Sequence, residues 1–204
     1  AAYEGKTDEV LLLVEDSVDI NTTTEEGITP LMYASEKGFA EIVKILLFHG
    51  ADPNKSPENG RTALISAAIN NHMDIVYLLL IYGANINATD EFGVTALIYA
   101  ASYNYYDMTE YLIINGAQHV IKTQDGTDAL LAAAYHGNTE IVNLLCNHNA
   151  DINTVDYLGF TPFALAIRNN DMYLTETLIN RQAASTAPIK NLPSVNLVDY
   201  ARIW

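Results

Sequence analysis

The residues with chemical potential are few and scattered. Histidines stand at His49, His72, His119, His136 and His148, and the single cysteine is Cys146. One cysteine closes neither an internal disulfide nor a metal site by itself. His136 and Glu140 are four apart, a spacing that can share one helical face, but Gly137 between them places the pair across a turn. His49 and His148 recur at one position near a helix C-terminus, where a cation suits the helix dipole. Acid pairs such as Asp8/Glu9 and Glu25/Glu26 read as solvated surface. Neither a Gly-rich phosphate loop nor a Gly-x-Ser-x-Gly elbow occurs. Formal glycosylation sequons begin at Asn21, Asn54 and Asn87, but all three occupy the same place in a longer pattern that explains them without modification. The expectation is therefore no catalytic residue, no metal and no cofactor.

That longer pattern organises the chain. Gly27, Gly60, Gly93, Gly126 and Gly159 fall at a constant spacing of 33. Two positions on stand Thr29, Thr62, Thr95, Asp128 and Thr161, the side chains suited to capping a helix N-terminus. Pro30 and Pro162 follow at a first helical position, where a missing N–H costs nothing. Ala34, Ala67, Ala100, Ala133 and Ala166 make a narrow face for close helix approach. Gly38, Asn71, Asn104, Gly137 and Asn170 suit the left-handed end of that first helix. A second helix with apolar residues three and four apart follows, as in Ile42, Val43, Ile45, Leu46 and Leu47, and Gly50 or its equivalent stops it. Each unit is a helix, a turn, a helix and a long loop, and such a pair buries its faces only against neighbouring units.

Composition agrees and excludes some partners. Half the residues are hydrophobic and 17% are charged, with a net charge of −15. The N-terminal stretch is the most acidic, with Glu4, Asp8, Glu9, Glu15, Asp16, Asp19, Glu25 and Glu26 opposed by Lys6. Such a field repels phosphate backbones and anionic lipid and favours a basic partner. The apolar run Val10–Val14 is far too short to span a bilayer. The expected location is soluble: the cytoplasm, or the periplasm or exterior if an upstream signal has been removed.

The segments GITPLMYASEKGFAEIVKILLFHGADPN (27–54) and GVTALIYAASYNYYDMTEYLIINGAQ (93–118) resemble the ankyrin repeat family. The resemblance covers nearly the whole chain. It implies a mainly α fold, an ankyrin-repeat solenoid of stacked helix-turn-helix units joined by β-hairpin-like loops. The expected organisation is one domain over 1–204, with a partial repeat at 1–26, repeats at 27–59, 60–92, 93–125, 126–158 and 159–191, and a C-terminal capping partial repeat at 192–204. Two departures stand out. The family's usual histidine five residues after the glycine is replaced by Met32, Ile65, Ile98, Leu131 and Ala164, so a polar link between units should be lost to apolar packing. The approach to the fourth unit, from Gln118 to Lys122, and the close of the fifth, Arg181-Gln182-Ala183-Ala184, lack the usual residues and should be looser.

The resemblance also implies function. Such proteins are non-enzymatic and bind another protein through loop tips and the first-helix face. On the corresponding positions stand Glu25, Glu26, Glu58, Arg61, Glu91, Phe92, Val94, Tyr103, Tyr135, His136, Tyr157, Leu158 and Phe160, with His49, Arg168 and Arg181 at further contact positions. The early units present acids and the later ones aromatics. An apolar hot spot in units three to five, with the acidic end steering a basic partner, is the expected division. Tyr99, Tyr105, Tyr106 and Tyr111 lie off these positions and should pack. The expected partner is a protein with a basic or apolar surface, with no nucleic acid and no membrane, and the chain alone is monomeric. Narrower alternatives are a stoichiometric inhibitor or immunity protein blocking an enzyme's cleft, such as a bacterial hydrolase's, and a secreted bacterial effector scaffold.

Overall fold

The computed structural model describes residues 1–16 and 18–183, so the expected capping repeat at 192–204 and the last residues of the fifth repeat lie outside the described residues. A short 3-10 turn, Ala2–Glu4, precedes α1 (Thr7–Glu15), α2 (Pro30–Lys37), α3 (Ala40–Phe48), α4 (Ala63–Ile69) and α5 (Met73–Ile81). Then come α6 (Ala96–Ser102), α7 (Tyr106–Ile114), α8 (Ala129–Tyr135), α9 (Thr139–Asn147), α10 (Pro162–Arg168) and α11 (Met172–Asn180). The chain divides into two compact units, Ala1–Tyr99 and Ala100–Trp204.

Local chemistry sets the helix limits. The hydroxyls of Thr29, Thr62, Thr95 and Thr161 accept the backbone N–H three residues on, at 3.2, 3.3, 3.2 and 3.1 Å. Asp128 does the same for Leu131 at 3.0 Å, so the departure from threonine keeps the cap. Asn71, Asn104 and Asn170 take φ values of 57°, 61° and 53° at the close of the first helices, the left-handed conformation that asparagine tolerates.

In the first unit α2 packs on α3 and α4, α3 on α1 and α5, and α4 on α5. In the second unit α8 packs on α9 and α10, α9 on α7 and α11, and α10 on α11. The alanines at 34, 67, 100, 133 and 166 are wholly buried, which is what lets helix backbones approach. Leu31, Leu64, Leu97 and Leu130 fill the core beside them. Each buried leucine or isoleucine of this kind contributes roughly 1.5–3 kcal/mol relative to an exposed one.

The replaced histidine position is apolar and buried, at 4% exposure or less for Met32, Ile65, Ile98, Leu131 and Ala164. Apolar packing thus replaces the histidine's link at that position, and polar links between repeats arise elsewhere. The Asn21 side chain donates to the Gly50 carbonyl at 3.3 Å and accepts the Asp52 N–H at 2.9 Å. Asn54 repeats this one unit on, donating to Gly83 O at 3.0 Å and accepting from Asn85 N–H at 2.7 Å. His72 Nε2–H donates to the Glu36 carbonyl at 3.2 Å, and at the same repeat position Asn138 donates to the carbonyls of Ala101 and Ser102 at 2.8 and 3.0 Å. Asn169 reaches Tyr135 O at 2.8 Å. Both amide atoms of Asn21 and of Asn54 are thus engaged, which gives these sequon asparagines a structural role.

At the close of the fifth unit the described residues keep the repeat's closing bond, and Ala184 lies outside the described residues. Gln182 adopts φ 62° in the glycine's place, and Ala183 N–H donates to Leu178 O at 3.0 Å, the bond that Ala51 makes to Leu46 at 2.9 Å. At the approach to the fourth unit Lys122 Nζ donates to Val155 O at 2.5 Å and Thr154 Oγ1 at 3.1 Å, tying that loop to the next. The β-hairpin-like character of the loops reduces, among the described residues, to one isolated antiparallel bridge, Thr89 to Thr95.

Candidate partner-binding surfaces

In the first unit the candidate contact residues sit on a loop built around Asp90. Its N–H donates to the Val94 carbonyl at 3.0 Å, and Gly93 N–H donates back to Asp90 O at 2.9 Å. One carboxylate oxygen accepts the N–H groups of Phe92 and Val94 at 3.0 and 2.9 Å, the turn an aspartate side chain favours. The other accepts the Tyr99 hydroxyl at 2.7 Å. Burial, and then the Asp90 carboxylate, push the Tyr99 phenol up to about 12, while the Arg61 guanidinium on the same hydroxyl opposes them. The loop is fixed from below as well. Glu91 N–H donates to Asn59 O at 2.9 Å, and Gly60, at φ 70°, lies where a Cβ would stand 2.9 Å from Asp90 Cα. Phe92 is left 57% exposed, Val94 is half-buried, and Glu91 faces solvent. Glu25, Glu26 and Glu58 are exposed on the earlier loops, with Glu26 accepting the Thr24 hydroxyl at 3.0 Å.

In the second unit the corresponding loop is built around Asp156. Its carboxylate accepts the N–H groups of Leu158 and Phe160 at 2.9 and 2.8 Å, and its own N–H donates to Phe160 O at 3.2 Å. Tyr157 N–H donates to Asp125 O at 3.0 Å, and a Cβ on Gly126 would stand 2.8 Å from the Tyr157 ring and nitrogen. Tyr157 and Leu158 are each 64% exposed, an unusual cost for two large apolar side chains on a loop held this firmly. Phe160 is half-buried. Its ring and that of Tyr135 each lie 5.0 Å from the Arg168 guanidinium, and His136 meets Tyr135 edge-on at 5.1 Å. Tyr103 is exposed and tilts against Tyr105 at 5.7 Å.

A family model described as ankyrin repeats (3 copies) matches residues 1–57, 51–123 and 97–187. The chain belongs to the ankyrin repeat family. No curated protein matches it. Ankyrin repeats are in general protein–protein interaction modules, and the family is typically non-enzymatic. No described helix of this ankyrin-repeat protein is long and apolar enough to cross a membrane.

Within the ankyrin frame the structure brings Tyr135 and Phe160 together at Arg168, with His136 against Tyr135, and Phe92 and Val94 together on the Asp90 turn. Arg61 is drawn into the network beneath that turn. Arg181 is engaged too, with its Nε–H donating to Asn143 Oδ1 at 2.6 Å and a terminal N–H to Asn147 Oδ1 at 2.9 Å. His49 Nδ1–H caps the Ile45 carbonyl at 2.8 Å, which fits its place at a helix end. Of the tyrosines set apart for packing, Tyr99, Tyr105 and Tyr111 are half-buried, whereas Tyr106 is exposed. Sequence reasoning missed the residues that shape the loop tips. The signal was present three positions before each turn glycine, where Thr24, Pro57, Asp90, Thr123 and Asp156 stand. It also missed an outward apolar position on the second helices, occupied by Phe48 and Ile81 in the first unit and Ile114 in the second.

Proposed function

We propose that this chain is a non-enzymatic protein-binding module whose strongest anchor is the Asp156 loop. The supporting observation is the exposure of Tyr157 and Leu158 on a turn whose backbone is fixed by Asp156 and Asp125. Rigid, exposed aromatic and aliphatic side chains lose little entropy on binding and are favoured at the cores of interfaces. Tyr103, Tyr135, His136 and Phe160 add apolar surface in the same unit. In the first unit Phe92 and Val94 supply a smaller apolar contact, and Glu25, Glu26, Glu58 and Glu91 supply negative charge that speeds encounter with a basic patch. The repeats that begin at 27, 60, 93, 126 and 159 form the binding domain, preceded by the partial repeat at 1–26.

Capture of the partner from the source lysate, followed by affinity measurement on purified components, tests this reading. Alanine at Tyr157, Phe160 or Phe92 should weaken binding by about 1–2 kcal/mol each with the urea midpoint little changed. Undiminished affinity in all three would sink it. Exposed charges account for the rate component, so the association rate should fall with salt. A narrower form of the same reading is blockage of an enzyme's cleft by the Tyr157-Leu158 tip, and it predicts stoichiometric loss of the captured partner's activity on mixing.

A further inference from the structure

The charged residues of the second unit are not equivalent. Its cations among the described residues are Lys122, Arg168 and Arg181. Lys122 is held by Val155, Thr154 and, at 4.0 Å, Asp128, and Arg181 by Asn143 and Asn147. Arg168 alone of the three has no hydrogen-bond acceptor or carboxylate partner among the described residues. Its guanidinium is instead placed 5.0 Å from the ring centroids of both Tyr135 and Phe160. The next residue, Asn169, donates to the Tyr135 carbonyl, which fixes the end of α10 against the end of α8. With no acceptor among the described residues its N–H groups are available, and two of them together match the two oxygens of a carboxylate. Arg168 is exposed, so a partner can reach it, and the two rings beside it offer apolar contact to whatever carries the carboxylate.

We propose that Arg168, held by Tyr135 and Phe160, is a receptor for a carboxylate of the partner protein, either an Asp or Glu side chain or a C-terminus. The inference rests on the docking function proposed above and adds the chemistry its partner must show. A carboxylate fits better than a phosphate: among the described residues of the second unit one guanidinium is without an acceptor, and the net charge of −15 repels a dianion more strongly. The partner thus carries an acidic residue among apolar ones where it meets the second unit, whatever its charge elsewhere.

The test is selection of random twelve-residue peptides, displayed with free C-termini, on the intact chain. Recovered peptides are then synthesised in free-acid, amidated, Asp/Glu→Asn/Gln and phosphoserine-for-acid forms. The expected result is enrichment of a carboxylate beside an aromatic or aliphatic residue. Arg168→Gln should weaken such a peptide about tenfold or more, and so should neutralising the peptide's acid. Combining the two should add little further loss, and Tyr135→Ala should give an intermediate loss. Amidation separates a C-terminal carboxylate from a side chain. Peptides that lose affinity with Tyr157→Ala but bind Arg168→Gln as tightly as the unaltered chain would overturn the carboxylate receptor and leave the docking function standing. Tighter binding of the phosphoserine form would overturn it in favour of a phosphate site. No retained peptide at all would count against both. Urea unfolding of each variant identifies any that fails to fold, and for such a variant the peptide's own Asn/Gln form decides.

Discussion

The Asp90 and Asp156 loops share a backbone and differ in what they do with arginine. In both, an aspartate three residues before the turn glycine accepts two loop N–H groups, and the preceding loop supplies a carbonyl to the tip. Beneath the Asp90 loop, Arg61 reaches the Tyr99 hydroxyl, which also donates to Asp90, so the cation is bound inward. Beside the Asp156 loop, Arg168 lies against Tyr135 and Phe160 and has no hydrogen-bond acceptor among the described residues. One scaffold therefore yields an arginine bonded within its own loop network and one that, under the proposal above, awaits a partner's carboxylate. Three repeat positions differ: 66 residues on, Arg61 and Tyr99 are replaced by Thr127 and the buried, apolar Leu165, and Ser102 by Arg168.

The comparison breaks most severely at the shared foundation. Gly60→Val and Gly126→Val each place a Cβ within 3 Å of the next loop's backbone, at φ 70° and 87°. Each should cost about 3 kcal/mol, read as a lower urea midpoint. If one unit tolerates the change, the two loops are not supported alike. Next come the aspartates. Asp90→Ala removes acceptors from Phe92, Val94 and Tyr99 and should cost about 2 kcal/mol, whereas Asp156→Ala removes two and should cost about 1 kcal/mol. Equal losses would show that the Tyr99 bond contributes nothing.

The same network has a pH signature. Tyr99 deprotonates near the ordinary tyrosine value of 10.0 when unfolded and only at about 12 when folded, so the unfolded chain binds fewer protons between these values. Stability from this group is complete below pH 10 and is lost as pH rises towards 12. Ultraviolet titration should show one late tyrosine whose pKa falls in Asp90→Asn; an unmoved titration would remove Asp90 as a cause.

Smaller effects test the stitching between repeats. Asn54→Ala in the first unit and Asn138→Ala in the second each delete two hydrogen bonds to a neighbouring repeat, and each should cost about 1 kcal/mol by thermal or urea unfolding. Smallest, and opposite in sign, is Ser35→Ala. The Ser35 hydroxyl is wholly buried with no partner, while Ala68, Ala101 and Ala134 occupy its place in other repeats. Removing it should stabilise the chain by about 0.5–1 kcal/mol, and destabilisation would mean that the hydroxyl is satisfied by water.

The repeat, its caps and its turns were legible from residue types alone. A threonine before a proline, or a glycine that must take positive φ, acts within four residues and needs no knowledge of the rest of the chain. The exposed candidates Phe92, Tyr157 and Leu158 were legible for the same reason, since they lie next to a recognisable turn. The links between repeats were not. Asn54 looked like one member of a consensus, yet its partners are 29 and 31 residues away, and the missing histidine suggested a loss that Asn21, Asn54, His72 and Asn138 make good. The fates of Arg61 and Arg168 were equally hidden. Both follow or precede a turn in an ordinary way, and only the stacking of one repeat on the next puts a phenol within reach of the first and an aromatic pair around the second. Sequence fixes what a helix and turn will do because those interactions are short; which side chains meet across repeats depends on how the helices pack, and that geometry exists only once the chain has folded.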